Sequence, residues 1–273
     1  MPRGWHSASA YGISSVSFPV PLLAAEPELQ AAAAALASEF TLPTVDTGSN
    51  FILELTREGL QLRWRSKPEY QPLVLDYTRG KQAWRQQLGG GRQEAVVRAL
   101  GLGKGFRPKV LDATAGLGRD GLILAHAGCE VRLLERNPAI HALLHQAVAH
   151  LQQFHGNEHW SYQRVLVLPA GSLLDHEDAH AVFADWQPDA VYLDPMFPER
   201  EKSAAVKKDM QMLQQLVGAD LDADGLLAAA LAIAKCRVVV KRPAKAPFLA
   251  GQTPSSQIAS KKHRFDVYIK QAY

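Results

Sequence analysis

Cysteine is scarce: Cys129 and Cys236 are the two in 273 residues, far apart, each inside an apolar strand-like segment. A disulfide framework or a four-cysteine zinc site cannot be built from them, and both read as core thiols of a reducing cytoplasm. Long apolar runs are missing too. The run at Ala31 to Ala37 is alanine-dominated, and no run approaches the roughly 18 residues a spanning helix needs. The opening MPRGWHSASAYG lacks the apolar segment that follows the basic start of an export signal, so a cytoplasmic protein without a membrane partner is expected. Acids are scarce near the end, where nine Lys/Arg between Lys235 and Lys270 face one acid, Asp266, although the net charge is only +3. Each neutralised phosphate releases counterions, so this segment suits a polyanion; it equally suits a solvated basic tail.

With 47% hydrophobic and 21% charged residues, the composition is that of a folded globular chain. Its length fits one large domain, or a compact domain with an appendage. Residues 1–80 read as a small α+β region. Pro27 to Phe40 is an alanine-rich helix candidate, and FILELT (Phe51 to Thr56), LQLRWRS (Leu60 to Ser66) and LVLDYT (Leu73 to Thr78) form an antiparallel meander. Residues 81–108 form a helical linker: three consecutive glycines, Gly89 to Gly91, mark a joint, and Arg92 to Leu102 resumes a helical pattern. From 109 to 273 near-continuous apolar strands alternate with helices. The strands are KVLDATA, EVRLLE, RVLVLPA, DAVYLD and CRVVVKRP, with helices over Arg119 to Ala127, Pro138 to Phe154, Ser203 to Val217 and Asp222 to Ala234. That alternation predicts a doubly wound α/β domain with a mostly parallel sheet. The segment Gln257 to Gln271 adds an antiparallel hairpin or edge pair.

Gly116-Leu117-Gly118-Arg119-Asp120-Gly121 satisfies G-x-G-x-x-G after a strand and before a helix, and Glu135 closes the next strand. By itself this is a dinucleotide fingerprint, which makes a nicotinamide-dependent oxidoreductase one reading. Asp112, four residues before Gly116, argues for another. An acid at the carboxyl end of the first strand faces the ligand crevice and suits a cationic ligand better than a pyrophosphate. S-adenosylmethionine (SAM) has the required ammonium and sulfonium charges, and its ribose hydroxyls match Glu135.

Asp194-Pro195-Met196-Phe197 falls just past the carboxyl end of the strand DAVYLD, where ligands bind in open α/β sheets. It approximates the D/N-P-P-Y/F sequence of amine methyltransferases. The lone pair of an exocyclic base amine is delocalised into the ring, so the amine needs acceptors on its N–H groups. The Asp194 carboxylate and the Pro195 carbonyl supply them, proline fixes the backbone, and Phe197 offers a face for a planar base. His141, His145, His150, His155 and His159 resemble a metal array, but Ala-Leu-Leu between the first two lacks the Glu of H-E-x-x-H. They read as a helix face, and no metal is expected.

LDATAGLGRDGLILAHAGCEVRLLERNP, DAVYLDPMFPEREKSAAVKKDMQMLQQLVG and the closing RVVVKRP resemble the J-type small-subunit (16S) ribosomal RNA guanine-N2 methyltransferases, which depend on SAM. The likeness extends more loosely through the N-terminal region, including LDYTRG. It implies a class I, Rossmann-like methyltransferase sheet and guanine N2 as the methyl acceptor. It also implies cofactor contacts at Arg119, Asp120, Glu135, Arg136, Gly171, Ser172 and Asp194, beside the Asp112, Gly116 and Gly118 of the strand and loop. Lys202, Lys207 and Lys208 follow the Asp-Pro motif, and Lys241, Arg242 and Lys245 follow a strand ending on the same sheet edge. Lys261, Lys262 and Arg264 extend this rim, which would hold ribosomal RNA phosphates while the target guanine is unstacked. A non-catalytic RNA-binding protein using the basic segment is the remaining reading.

Overall fold

The computed structural model describes residues 19–79, 94–103, 105–155, 162–176, 179–197, 208–260 and 263–273. The glycine joint, His159, Lys202, Lys207, Lys261 and Lys262 lie outside them.

The N-terminal region is built on a four-stranded sheet. β1 (Leu22–Ala24) pairs in parallel with β2 (Phe51–Thr56), and the antiparallel β3 (Gly59–Trp64) and β4 (Leu73–Val74) complete it. The meander was legible in the alternation of apolar residues, whereas β1 is three residues long and too short to show a period. Between β1 and β2 lies α1 (Gln30–Glu39), preceded by a 3-10 turn over Pro27–Leu29. Ala33 and Ala37 are its buried positions. The short helix α2 (Ala95–Ala99) leads into the main sheet.

That sheet has seven strands. Five are parallel, the first four of them β5 (Lys109–Asp112), β6 (Glu130–Leu133), β7 (Val165–Val167) and β8 (Ala190–Leu193). β9 (Arg237–Pro243) runs parallel beside β8, and β10 (Ser256–Ala259) and β11 (His263–Ile269) form the antiparallel pair at the end. The order is β10-β11-β9-β8-β5-β6-β7, so the chain winds outward from β5 to β7 and then crosses back to β8. The crevice at this reversal, beyond the carboxyl ends of β5 and β8, is where an open α/β sheet takes its ligand.

The two sheet faces bury different cores. One carries Val110, Leu133, Tyr192 and Val239 beneath α3 (Arg119–His126) and α4 (Pro138–His155), and it runs without interruption into Leu53, Leu62 and Trp64 of the N-terminal sheet. The other carries Leu111, Val191, Leu193 and Val240 beneath α5 (Ala179–Val182) and α7 (Ala223–Ile233). The remaining helix, α6 (Lys208–Val217), lies over the crevice. His141 and His145 of α4 meet the Phe40 ring edge-on at 5.6 and 5.3 Å, so they serve the seam between the two sheets. Among the described residues no three His, Cys, Asp or Glu side chains converge as metal ligands would, and no helix is long and apolar enough to cross a membrane.

The glycine loop is held by close packing. Gly118 adopts the left-handed conformation (φ 71°) at the entry to α3. Gly121 brings α3 onto the sheet so closely that a Cβ there would sit 2.4 Å from Leu133 Cδ2 and 3.1 Å from Asp112 Oδ2. Gly121→Ala is therefore expected to destabilise the protein by about 1–3 kcal/mol through overpacking. An unchanged midpoint in chemical denaturation would show that the helix does not approach this closely.

Candidate active site

Asp112, Glu135 and Asp194, the acids at the ends of β5, β6 and β8, line one cavity of about 800 Å³. Its wall also includes Gly116, Arg119, Asp120, Arg136, Ser172, Pro195, Phe197, Lys241 and Arg242 from the residues singled out in the sequence. Gly118 and Gly171 shape the loops behind it; the Gly171 N–H donates to the Glu135 carbonyl at 3.0 Å. The exposed Lys208 and Lys245 lie outside this wall.

The register of the parallel strands explains the convergence. Asp112 stands opposite Tyr192, and Leu193 opposite Val240, so Asp194 and Lys241 are the next neighbours along the same pair of strands. Side chains alternate along a strand, which puts Asp112, Tyr192, Asp194 and Lys241 on the face covered by α3. There Lys241 Nζ lies 2.8 Å from both Asp120 Oδ2 and Asp194 Oδ2, and the Tyr192 hydroxyl donates to Asp120 at 2.6 Å. The Asp194 N–H donates to the Thr114 hydroxyl at 2.6 Å, tying the Asp-Pro loop to the glycine loop.

Neighbouring loops fix the rest. Asp220 accepts the Met196 N–H at 2.5 Å, returns its own N–H to the Met196 carbonyl at 2.9 Å, and pairs with Arg136. Arg136 also grips Asp222 through both carboxylate oxygens. Arg119 pairs with Asp209 of α6 at 2.7 Å, and its buried Nε has no partner among the described residues. The Ser172 hydroxyl caps a short turn by accepting the Leu174 N–H. Tyr77, buried in the N-terminal region, donates its hydroxyl to the Leu117 carbonyl, so that region supports the glycine loop directly.

The crevice is charged in an unusual way. Asp112 is buried and accepts the Thr114 N–H at 3.3 Å, and burial together with Asp120 pushes its carboxyl well above the usual range. Burial also raises Glu135, partly offset by N–H groups from Asn137 and Gly116 at 2.7 and 2.8 Å. Burial raises Asp194 against the opposing pull of Lys241. On Lys241 burial disfavours the charge, but Asp194 and Asp120 outweigh it and hold the ammonium above the ordinary lysine range.

Several basic residues placed at an RNA-facing rim by the sequence pattern are engaged internally. Lys241 lies in the crevice as described. Arg242 is buried, donates to the Pro247 carbonyl at 3.0 and 3.2 Å, and sits 4.4 Å from the centre of the Phe197 ring. Arg264 bonds Asp266 and the Ala244 carbonyl. Thr114, Tyr77 and Asp220 carried no role in the sequence reading; the acidic stretch around Asp220 looks there like an ordinary helix start.

Comparison with known proteins places the chain in a family. The family model for SAM-dependent methyltransferases matches residues 35–270. A protein of Idiomarina loihiensis named ribosomal RNA small subunit methyltransferase J is 46% identical over 257 residues, 93% of this chain and 96% of its own length. Its namesake in Colwellia psychrerythraea is 49% identical over 222 residues, 81% of this chain and 79% of its own. The chain belongs to the ribosomal RNA small subunit methyltransferase J family. The crystal structure of a SAM-dependent methyltransferase from Neisseria gonorrhoeae shares the family architecture at a TM-score of 0.70 and 30% identity, covering 92% of this chain and 96% of that one.

Membership in the J family decides between the two readings of the glycine loop: the fold is the class I methyltransferase sheet, and the cofactor is SAM rather than nicotinamide. The residues present fit it. The cavity is within the range of small-molecule sites. Its buried carboxylates complement a ligand with two positive charges, and the unpartnered Arg119 Nε is a donor for a carboxylate.

A buried carboxylate with a raised pKa costs stability: the folded form holds its proton more tightly than the unfolded chain, so stability falls as pH rises through that window. Asp112→Asn is thus expected to stabilise the empty protein at neutral pH by roughly 1–3 kcal/mol while weakening SAM by about tenfold or more. Thermal denaturation with and without SAM checks both; a variant that is less stable yet binds SAM normally contradicts this role.

Proposed function

We propose that this protein transfers a methyl group from SAM to the exocyclic N2 of a guanine in small-subunit (16S) ribosomal RNA. The observation that carries the reading is the meeting of Asp112, Glu135 and Asp194 in one crevice. The names of the J-family relatives support ribosomal RNA as the substrate class. Bound SAM supplies an electrophilic methyl group on a positively charged sulfur. Asp112, with the glycine-loop amides around Gly116, would hold its cationic end, Glu135 its ribose hydroxyls, and Arg119 its carboxylate. Arg136 and Ser172 complete the wall around the cofactor, Arg136 by fixing the Asp220 loop, while Gly171 supports the wall from behind through its N–H to the Glu135 carbonyl.

Asp194 and the Pro195 carbonyl accept the N–H groups of the guanine amine. This localises the nitrogen lone pair and directs it toward the methyl donor; as the N–C bond forms, the methyl–sulfur bond would break to leave S-adenosylhomocysteine, and one amine proton would depart along its hydrogen bond to the Asp194 carboxylate. Proline keeps a donor out of that backbone position. Phe197, backed on one side by the Arg242 guanidinium, presents its ring to the unstacked base. Lys245 and Lys208, both exposed and the latter with its ammonium 5.1 Å over the Tyr70 ring, are left for phosphate contact, with Lys202 and Lys207 as further candidates in the sequence. The two buried free thiols, Cys129 and Cys236, agree with a reducing cytoplasm.

Asp194→Ala should reduce methyl incorporation into ribosomal RNA by a factor of at least about 100, with SAM still bound and the melting temperature little changed. Retained turnover would remove Asp194 from this role.

A further inference from the structure

Lys241 and Arg242 are adjacent on β9 and face opposite sides of the sheet, and each reaches a different part of the Asp-Pro loop. Lys241 is the more consequential. Its side chain is 20% exposed, and its ammonium is shared between two carboxylates at 2.8 Å each. The groups around it are Asp112 on β5, Asp120 on α3, Tyr192 on β8, Asp194 after β8, and His263 on β11. Three carboxylates thus crowd one ammonium. Asp120 and Asp194 both bond Lys241 directly, and Asp194, in the Asp-Pro loop, is the most exposed of the three.

We propose that Lys241 is a positioning residue: by bridging Asp120 and Asp194 it keeps Asp194 an acceptor-only carboxylate for the target amine. This rests on the guanine-N2 reading above. A protonated Asp194 would turn a donor toward the amine and lose the alignment that transfer needs. Burial favours that protonated form, and Lys241, with a lesser pull from His263, opposes it. Asp120 is held by the Tyr192 hydroxyl and so gives Lys241 a fixed anchor rather than a mobile one. An ammonium already shared by two carboxylates has little left to offer an RNA phosphate. This separates Lys241 from the exposed Lys208 and Lys245.

The test compares wild type, Lys241→Met and Lys241→Arg. In the SAM-free protein, the carboxyl carbon of Asp194, followed by NMR against pH, should titrate higher in Lys241→Met by roughly one to three pH units, and Lys241→Arg should restore most of the difference. In methyl transfer, kcat of Lys241→Met at neutral pH should fall about 10- to 100-fold, with KM for RNA nearly unchanged. The acidic limb of its pH profile should move upward by the same interval. The slope of log RNA affinity against log salt should not change. An unshifted Asp194 titration overturns the proposal, as does a salt slope reduced by about one with an unaltered pH profile, which would make Lys241 a phosphate contact. If the Asp194 titration shifts as expected but wild type transfers no methyl group to RNA, the functional reading fails while the role of Lys241 in holding Asp194 stands.

Discussion

A hydrogen bond between the Asp194 amide and the Thr114 hydroxyl joins the two loops to which the proposed chemistry is assigned. β5 and β8 are neighbours in space but 80 residues apart in sequence at this contact. Each strand carries a carboxylate at or just past its end, Asp112 on β5 and Asp194 after β8, and parallel strands in fixed register bring those ends to the same level. The Thr114 bond then sets the relative height of the two loops to within the length of one hydrogen bond. Methyl transfer requires an acceptor nitrogen and a donor carbon to be held in line, so an error of an ångström here is costly. Asp220 performs the matching service at Met196, fixing the Asp-Pro loop from its other end.

The crevice concentrates negative charge in a poorly solvated place. Asp112 and Glu135 are buried, and Asp120 and Asp194 are partly so. In an empty protein such a cluster is unfavourable, because desolvated carboxylates repel one another and have lost water. The same cluster suits a ligand bearing sulfonium and ammonium groups, whose binding relieves the repulsion. The site is built for its ligand at some expense to the empty fold, and the continuous core under both sheets supplies the stability to tolerate it.

Much of this was legible in the sequence where the signal is local. The glycine loop, the acid at the end of β6 and the Asp-Pro motif each lie within a few residues of a strand end, and a parallel sheet sends all such ends to one side. What was not legible depends on register between distant strands. Lys241 and Arg242 read from composition as a basic rim, yet consecutive strand residues face opposite ways, and the alternation in RVVVKRP already implies that they cannot share one surface. Tyr77 gave no sign of touching Leu117, because that contact depends on how the N-terminal sheet packs against α4. Asp220 lies in an acidic stretch that resembles many helix starts, and only its partners, Met196 and Arg136, distinguish it.

The central claim is that one crevice aligns a methyl donor with a nucleobase amine held by Asp194. It is tested most directly by incubating the protein with small-subunit ribosomal RNA and isotopically labelled SAM, then mapping the label by mass spectrometry of the digested nucleotides. The account predicts label on the exocyclic nitrogen of guanine. Label confined to a ribose hydroxyl or a ring nitrogen, or found in no nucleotide, would contradict it.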